Sequence, residues 1–174
     1  MKTLLEFDSP QIYCDMDGVL ADFKTAAVKT TGMSINKWMN IPSSKKKWEA
    51  ISNKSNFWHT LPWMPGGKQL WRFIEKYKPH ILSAYVEEST DPNCIPGKTK
   101  WLQTYAGVSN KRRINLVRRS EKGLYAKMHA RNGDKVILID DYPKNVEDFT
   151  RYGGIGIYHT NSSSTISKLK KLGF

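Results

Sequence analysis

Cysteine is scarce: two residues in 174, Cys14 and Cys94. No pair has the spacing of a zinc site, and so few cysteines argue against a disulfide framework. Cys14 sits in an apolar run, where a free thiol behaves as a small hydrophobe. Long apolar runs are also missing, and nothing approaches the length of a membrane span. Residues 1–10 carry Lys2, Glu6 and Asp8 but not the apolar stretch of a secretory leader. The expectation is a soluble protein of the cytoplasm with no membrane partner. Gly66-Gly67-Lys68 lacks the rest of a nucleotide-binding P-loop. The four histidines, at 59, 80, 129 and 159, show no metal-ligand spacing. His80 enters an apolar run and reads as structural.

Acids are outnumbered: 16 Asp and Glu face 28 Lys and Arg, a formal net charge of +12. Such a field attracts anions, either nucleic acid or a phosphorylated substrate steered into a cleft; solubility alone is the plainer reading. The basic residues are scattered as Lys45-Lys46-Lys47, Lys111-Arg112-Arg113, Arg118-Arg119 and Lys168 to Lys171. No zinc-finger or RNP-type motif accompanies them, so nucleic acid is possible but not favoured. The length fits one domain with a small insertion, and 39% hydrophobic residues argue against wholesale disorder.

Short apolar runs alternate with amphipathic stretches. Strands are expected at 12–14, 79–83, 114–117, 136–139 and 155–158. Helices are expected at 21–30, 65–77, 99–105, 120–130 with Ser120 as N-cap, 143–152 ended by Gly153-Gly154, and 164–172. Alternating strands and helices predict an α/β fold, a parallel sheet with helices on both faces. Ligands of such sheets bind at the carboxyl ends of the strands, where Asp15, Ser83 and Asp140-Asp141 fall. Residues 32–63 break the alternation. They hold Trp38, Trp48, Phe57, Trp58 and Trp63 and read as a small helical cap inserted into a core of 1–31 and 64–174.

The chemistry-bearing residues are acids at strand ends. Asp15 and Asp17 follow an apolar strand and precede Gly18; buried carboxylates that repel need a cation, a proton or hydrogen bonds. A strand-end turn would also use Asp and Gly. Asp140 and Asp141 end the fully apolar run Val136-Ile137-Leu138-Ile139. Asp141 could cap the following helix while Asp140 turns to the cleft. Four acids in one crevice call for a metal, and a hard cation such as Mg²⁺ suits both carboxylates and phosphate.

The run Asp15-Met16-Asp17-Gly18-Val19-Leu20-Ala21-Asp22-Phe23 resembles the first motif of the haloacid dehalogenase superfamily, in the version of the 5'(3')-deoxyribonucleotidases. Leu82-Ser83 resembles the second motif, and Ile137-Leu138-Ile139-Asp140-Asp141 the fourth. The resemblance spans about residues 11 to 160. It implies a Rossmann-like core with a helical cap, and a Mg²⁺-dependent phosphatase acting on nucleoside monophosphates, with deoxyribonucleotides the expected substrates. Asp15 would be the nucleophile and Asp17 the general acid and base. Mg²⁺ would be held by Asp15, the carbonyl of Asp17 and an acid of the fourth motif, Asp141 first and Asp140 close behind. Ser83 would bind phosphate together with the lysine of the third motif, Lys122 in preference to Lys127.

The resemblance also implies that Phe23, Trp38 and Trp48 hold the base, although a small cap needs tryptophans for its own core. Two rival readings remain. One is a phosphatase of polynucleotide ends or other small molecules; the other is a non-catalytic nucleic-acid-binding member.

Overall fold

The structure is a computed structural model that describes residues 11–174; the expected extension of the core over 1–10, with the leader reading, lies outside the described residues. Five short strands, β1 (Ile12–Cys14), β2 (His80–Ala84), β3 (Ile114–Val117), β4 (Ile137–Asp140) and β5 (Ile155–Tyr158), form one parallel sheet in the order β3-β2-β1-β4-β5. β1, β2 and β4 are buried on both faces down to their ends, apart from partly exposed Ala84. That accounts for the apolar runs Ile12-Tyr13-Cys14, Ile81-Leu82 and Ile137-Leu138-Ile139 within them. The strand order reverses beside β1, so the chain diverges to opposite sides there and leaves a crevice at the carboxyl ends.

Local chemistry sets the helix ends. α1 (Phe23–Thr31) starts at Asp22, whose carboxylate accepts from Thr25 N at 3.1 Å and Thr25 Oγ1 at 2.7 Å. It stops at Gly32, which takes a left-handed φ of 67°. Residues 32–63 contain α2 (Ile35–Met39) and α3 (Ser44–Ser52), capped by Ser34 and Ser43, and a 3-10 turn at Trp58–Thr60. The excursion leaves and returns through one doorway: Asp22 N donates to Pro62 O at 2.8 Å and Met64 N to Leu20 O at 2.7 Å.

α4 (Gly67–Ile74) ends in a 3-10 turn, and α5 (Cys94–Tyr105) follows β2. Gly97 of α5 lies so close to Trp58 that a Cβ would collide with it. α6 (Lys122–Arg131) follows a 3-10 turn at Arg119–Glu121. α7 (Pro143–Arg151) has Pro143 in its first turn, and α8 (Ser162–Lys171) is capped by Asn161.

Of the six expected helices only α7 starts where expected; α1 and α4 start two residues later, at Phe23 and Gly67, and α5, α6 and α8 also start elsewhere. α5 begins at Cys94, not Thr99, because Pro96 is tolerated in a first turn where its missing N–H has no partner to lose. Ser120 lies inside the 3-10 turn and is no cap; Glu121 instead accepts from Arg118 N at 2.8 Å. α8 begins at Ser162, since Asn161 accepts from Ser164 N at 2.8 Å and outcompetes the serines as cap.

Candidate active site

The crevice at the carboxyl ends of β1, β2 and β4 is a cavity of about 330 Å³. Asp15, Asp17, Ser83, Lys122 and Asp141 line its floor, and Phe23, Trp38, Trp48 and Trp58 line its wall.

Asp15 is the first residue after β1, and its N–H still donates to Ile139 O at 2.9 Å, so the backbone of β4 fixes its position. Its Oδ1 accepts from Met16 N at 2.8 Å, and its Oδ2 lies 3.1 Å from Lys122 Nζ. Beyond it the chain turns tightly: Leu20 N and Ala21 N both donate to Met16 O. The turn needs Gly18 twice over, for its φ of 77° and because a Cβ there would run into the Asp141 carboxylate.

The adjacent acids of β4 divide their roles in the sense opposite to the capping expectation. Asp140 is fully buried and turned inward. Its Oδ1 accepts from Tyr142 N at 2.8 Å and its Oδ2 from Lys122 Nζ at 2.7 Å; Asn145 Nδ2 bridges both oxygens at 3.1 and 3.0 Å. Asp141 caps nothing and faces the cavity. Asp140 ends β4 and its carboxylate is engaged by Lys122, Tyr142 N and Asn145, whereas Asp141 lies just beyond the strand and lines the cavity.

Asp15, Asp140 and Asp141 each bring a carboxylate oxygen within 4.8 Å of the others and could hold a metal ion. The electrostatics fit one. Burial, then Asp15 and Asp140, push the Asp141 carboxyl up to about 7. Burial and Asp15 also raise Asp140. Burial opposes the charge of Lys122, yet Asp15 and Asp140 hold its ammonium pKa above the ordinary value. One lysine beside three carboxylates leaves negative charge uncompensated, and hard oxygen donors suit Mg²⁺.

Of the two candidate lysines, only Lys122 reaches the site. Lys127, on the same helix, is exposed, with Nζ 5.9 Å from the Tyr152 ring centroid. Ser83 is buried at the end of β2, in the cavity floor.

The three aromatic candidates come together but are not equivalent. Phe23 lies 5.5 Å from Trp38 and 5.9 Å from Trp48, and stacks on Trp58 at 5.5 Å with a 20° interplanar angle. Trp38 is 4% exposed, with its indole N–H bonded to Lys47 O at 2.7 Å, so it mainly backs the other rings. Phe23 and Trp48 remain partly exposed at the cavity wall.

Sequence reasoning missed Lys98. It is 1% exposed, and its Nζ lies 2.5 Å from Asp17 Oδ2, 2.6 Å from Ala84 O and 3.3 Å from Ser83 Oγ. The expected helix began at 99, which left Lys98 in a loop, where lysine is ordinarily solvated. Trp58 was also not singled out as lining the site; its indole N–H donates to buried Asp91 at 2.6 Å.

No family model and no curated protein sequence matches the chain. Solved structures do. A hydrolase from Streptococcus pneumoniae TIGR4 aligns over 93% of this chain and 99% of its own, with a TM-score of 0.56 at 11% identity. The L-2-haloacid dehalogenase of Xanthobacter autotrophicus aligns over 83% of this chain and 75% of its own, with a TM-score of 0.53 at 16% identity. The chain therefore has the α/β fold of the haloacid dehalogenase-type hydrolases.

Proposed function

We propose that the protein is a metal-dependent phosphomonoesterase of the haloacid dehalogenase superfamily, with nucleoside monophosphates, deoxyribonucleotides above all, as substrates. One observation carries the chemistry: Asp15, Asp141 and Lys122 meet at a cavity floor with Asp17 two residues from the nucleophile. A solvated cluster of acids would not enclose a buried lysine.

Asp15 is the nucleophile. Its carboxylate oxygen bonds to phosphorus while the ester P–O bond breaks, and the leaving oxygen takes a proton from Asp17. Asp17 then accepts a proton from water, whose oxygen bonds to phosphorus as the aspartyl–phosphorus bond breaks. Burial raises the Asp17 carboxyl above its ordinary value, which suits an acid that must carry a proton.

Lys122 has three N–H donors, of which Asp15 and Asp140 use two; the third is left for a phosphoryl oxygen, alongside Ser83. Asp15, Asp141, the Asp17 carbonyl and, behind them, Asp140 would hold Mg²⁺. When bound, the ion neutralises charge on the transferring phosphoryl group. Asp140, with both oxygens engaged by Lys122, Tyr142 N and Asn145, chiefly orients the lysine.

The nucleotide assignment rests on Phe23 and Trp48, partly exposed aromatic faces in the wall of the same cavity, which suit a planar base. Residues 32–63 act as the cap that carries Trp48 over the floor.

The test is phosphate release from deoxy- and ribonucleoside monophosphates and an aryl phosphate, with and without Mg²⁺. Metal-dependent turnover that favours nucleotides is expected. Turnover of the aryl phosphate alone would retain the chemistry and remove the nucleotide assignment. Asp15→Asn is expected to lose turnover by at least ~10³-fold while melting cooperatively; normal turnover in that variant would end the mechanism.

A further inference from the structure

The chemistry above makes no use of the buried lysine Lys98. Lys98 projects from α5 into the space between the turn after β1 and the end of β2, and it is as buried as Lys122. A buried ammonium is costly unless its donors are matched. Here three N–H groups meet three acceptors on two other elements: Asp17 Oδ2, the Ala84 carbonyl and the Ser83 hydroxyl. The Trp58 ring completes the enclosure, with its centroid 5.0 Å from Nζ. Gly97 makes this placement possible by letting α5 approach Trp58 without a side chain between them.

The contacts of the two lysines differ in what they leave over. Lys122 keeps a donor for substrate. Lys98 has all three engaged by protein, so it is poorly placed to grip a phosphoryl group. Asp17 shows the complement of this: Oδ2 is held by Lys98, while Oδ1 is buried without a hydrogen-bond partner in a residue that lines the cavity.

We propose that Lys98 is the positioning residue of Asp17. It ties Oδ2 to the carboxyl end of β2, fixes the side-chain rotamer, and leaves Oδ1 as the oxygen that exchanges a proton with the ester oxygen and then with water. This rests on the phosphomonoesterase reading. Lys98 touches no reacting atom; it acts through Asp17, and its effect scales with how much the leaving group needs a proton. A nucleoside alkoxide needs one before it can depart. A p-nitrophenolate is stable as the anion and barely does.

The experiment measures kcat/KM, which covers steps through departure of the leaving group, for a nucleoside monophosphate and for p-nitrophenyl phosphate. The proteins are wild type, Lys98→Met, Lys98→Arg, Asp17→Asn and the Lys98→Met/Asp17→Asn double variant, each checked for cooperative melting. Lys98→Met is expected to lose ~10²-fold or more on the nucleotide, the scale of general acid catalysis, and at least ~10-fold less on the aryl ester. In the Asp17→Asn background the same change is expected to alter kcat/KM by less than ~3-fold, because the group it positions is gone.

Equal losses on both esters would overturn the proposal and make Lys98 a phosphate ligand or a packing residue. Full additivity with Asp17→Asn would overturn it too. Should Lys98→Met fail to melt cooperatively, Lys98→Arg decides: it keeps the charge but not the compact three-donor head, and must show the same leaving-group-selective loss. Absence of turnover of either ester by wild type is a separate failure, of the phosphomonoesterase reading, and takes this inference with it.

Discussion

At the scale of single residues, the site is a problem of crowded carboxylates. Asp141 stands at about 7 because burial and then Asp15 and Asp140 oppose its charge. An unfolded carboxyl sits at about 4. Between those values the native metal-free protein therefore binds more protons than the unfolded chain. Its stability falls as pH rises through that window, and this contribution is gone above about 7. His129 and His159, whose pKa values burial lowers, act in the opposite sense near pH 6.5, so a raw melting curve mixes the two. The increment from Mg²⁺ separates them, since the ion needs the deprotonated carboxylate. Saturating Mg²⁺ is expected to raise Tm more at pH 7.5 than at pH 5.5. Asp141→Asn should remove that difference; an equal increment at both values would place the ion elsewhere.

At the scale of elements, caps and close approaches aim the functional side chains. Asp22 caps α1, and the next residue is Phe23, at the cavity wall. Asp22→Ala is expected to cost ~0.5–2 kcal/mol in urea denaturation, the range for losing such a cap, and to raise KM for nucleotides by loosening Phe23. An unchanged denaturation midpoint would show that the Asp22–Pro62 and Leu20–Met64 backbone bonds alone hold the start of α1. Most elements were legible from apolar runs and turn residues: Ile114–Val117 and Ile155–Tyr158 match expectation residue for residue. The starts of α5 and α8 were not, because Pro96 reads as a breaker until its place in a first turn is known, and Asn161 competes with three serines. The shortened α5 hid Lys98.

At the scale of the whole molecule, the net charge of +12 would draw the anionic substrate proposed above toward the protein. Lys24, Lys47 and Arg119 line the cavity beside the residues of the floor. Steering of this kind acts on encounter and is screened over about 8 Å at physiological salt. Raising ionic strength from 20 to 300 mM is expected to lower kcat/KM for nucleoside monophosphates roughly 3- to 10-fold and to leave kcat nearly constant. A salt-independent kcat/KM would assign the charge to solubility. Among the described residues no helix is long and apolar enough to cross a membrane.

The sequence by itself determined the α/β class and the five strands to within one residue at each end. Those depend on local periodicity and on acids placed where apolar runs stop. It also put Asp15, Asp17, Ser83 and Asp141 at strand ends, which the parallel sheet gathers into one crevice without further instruction. Only the tertiary structure brings Lys122, and not Lys127, to Asp15 and Asp140, because both are helix lysines and the difference is which face meets those acids. The same holds for the inward turn of Asp140, the burial of Trp38 behind Phe23 and Trp48, and the engagement of Lys98 with Asp17. Each is a contact between residues distant along the chain, and such contacts leave no periodic trace in the sequence.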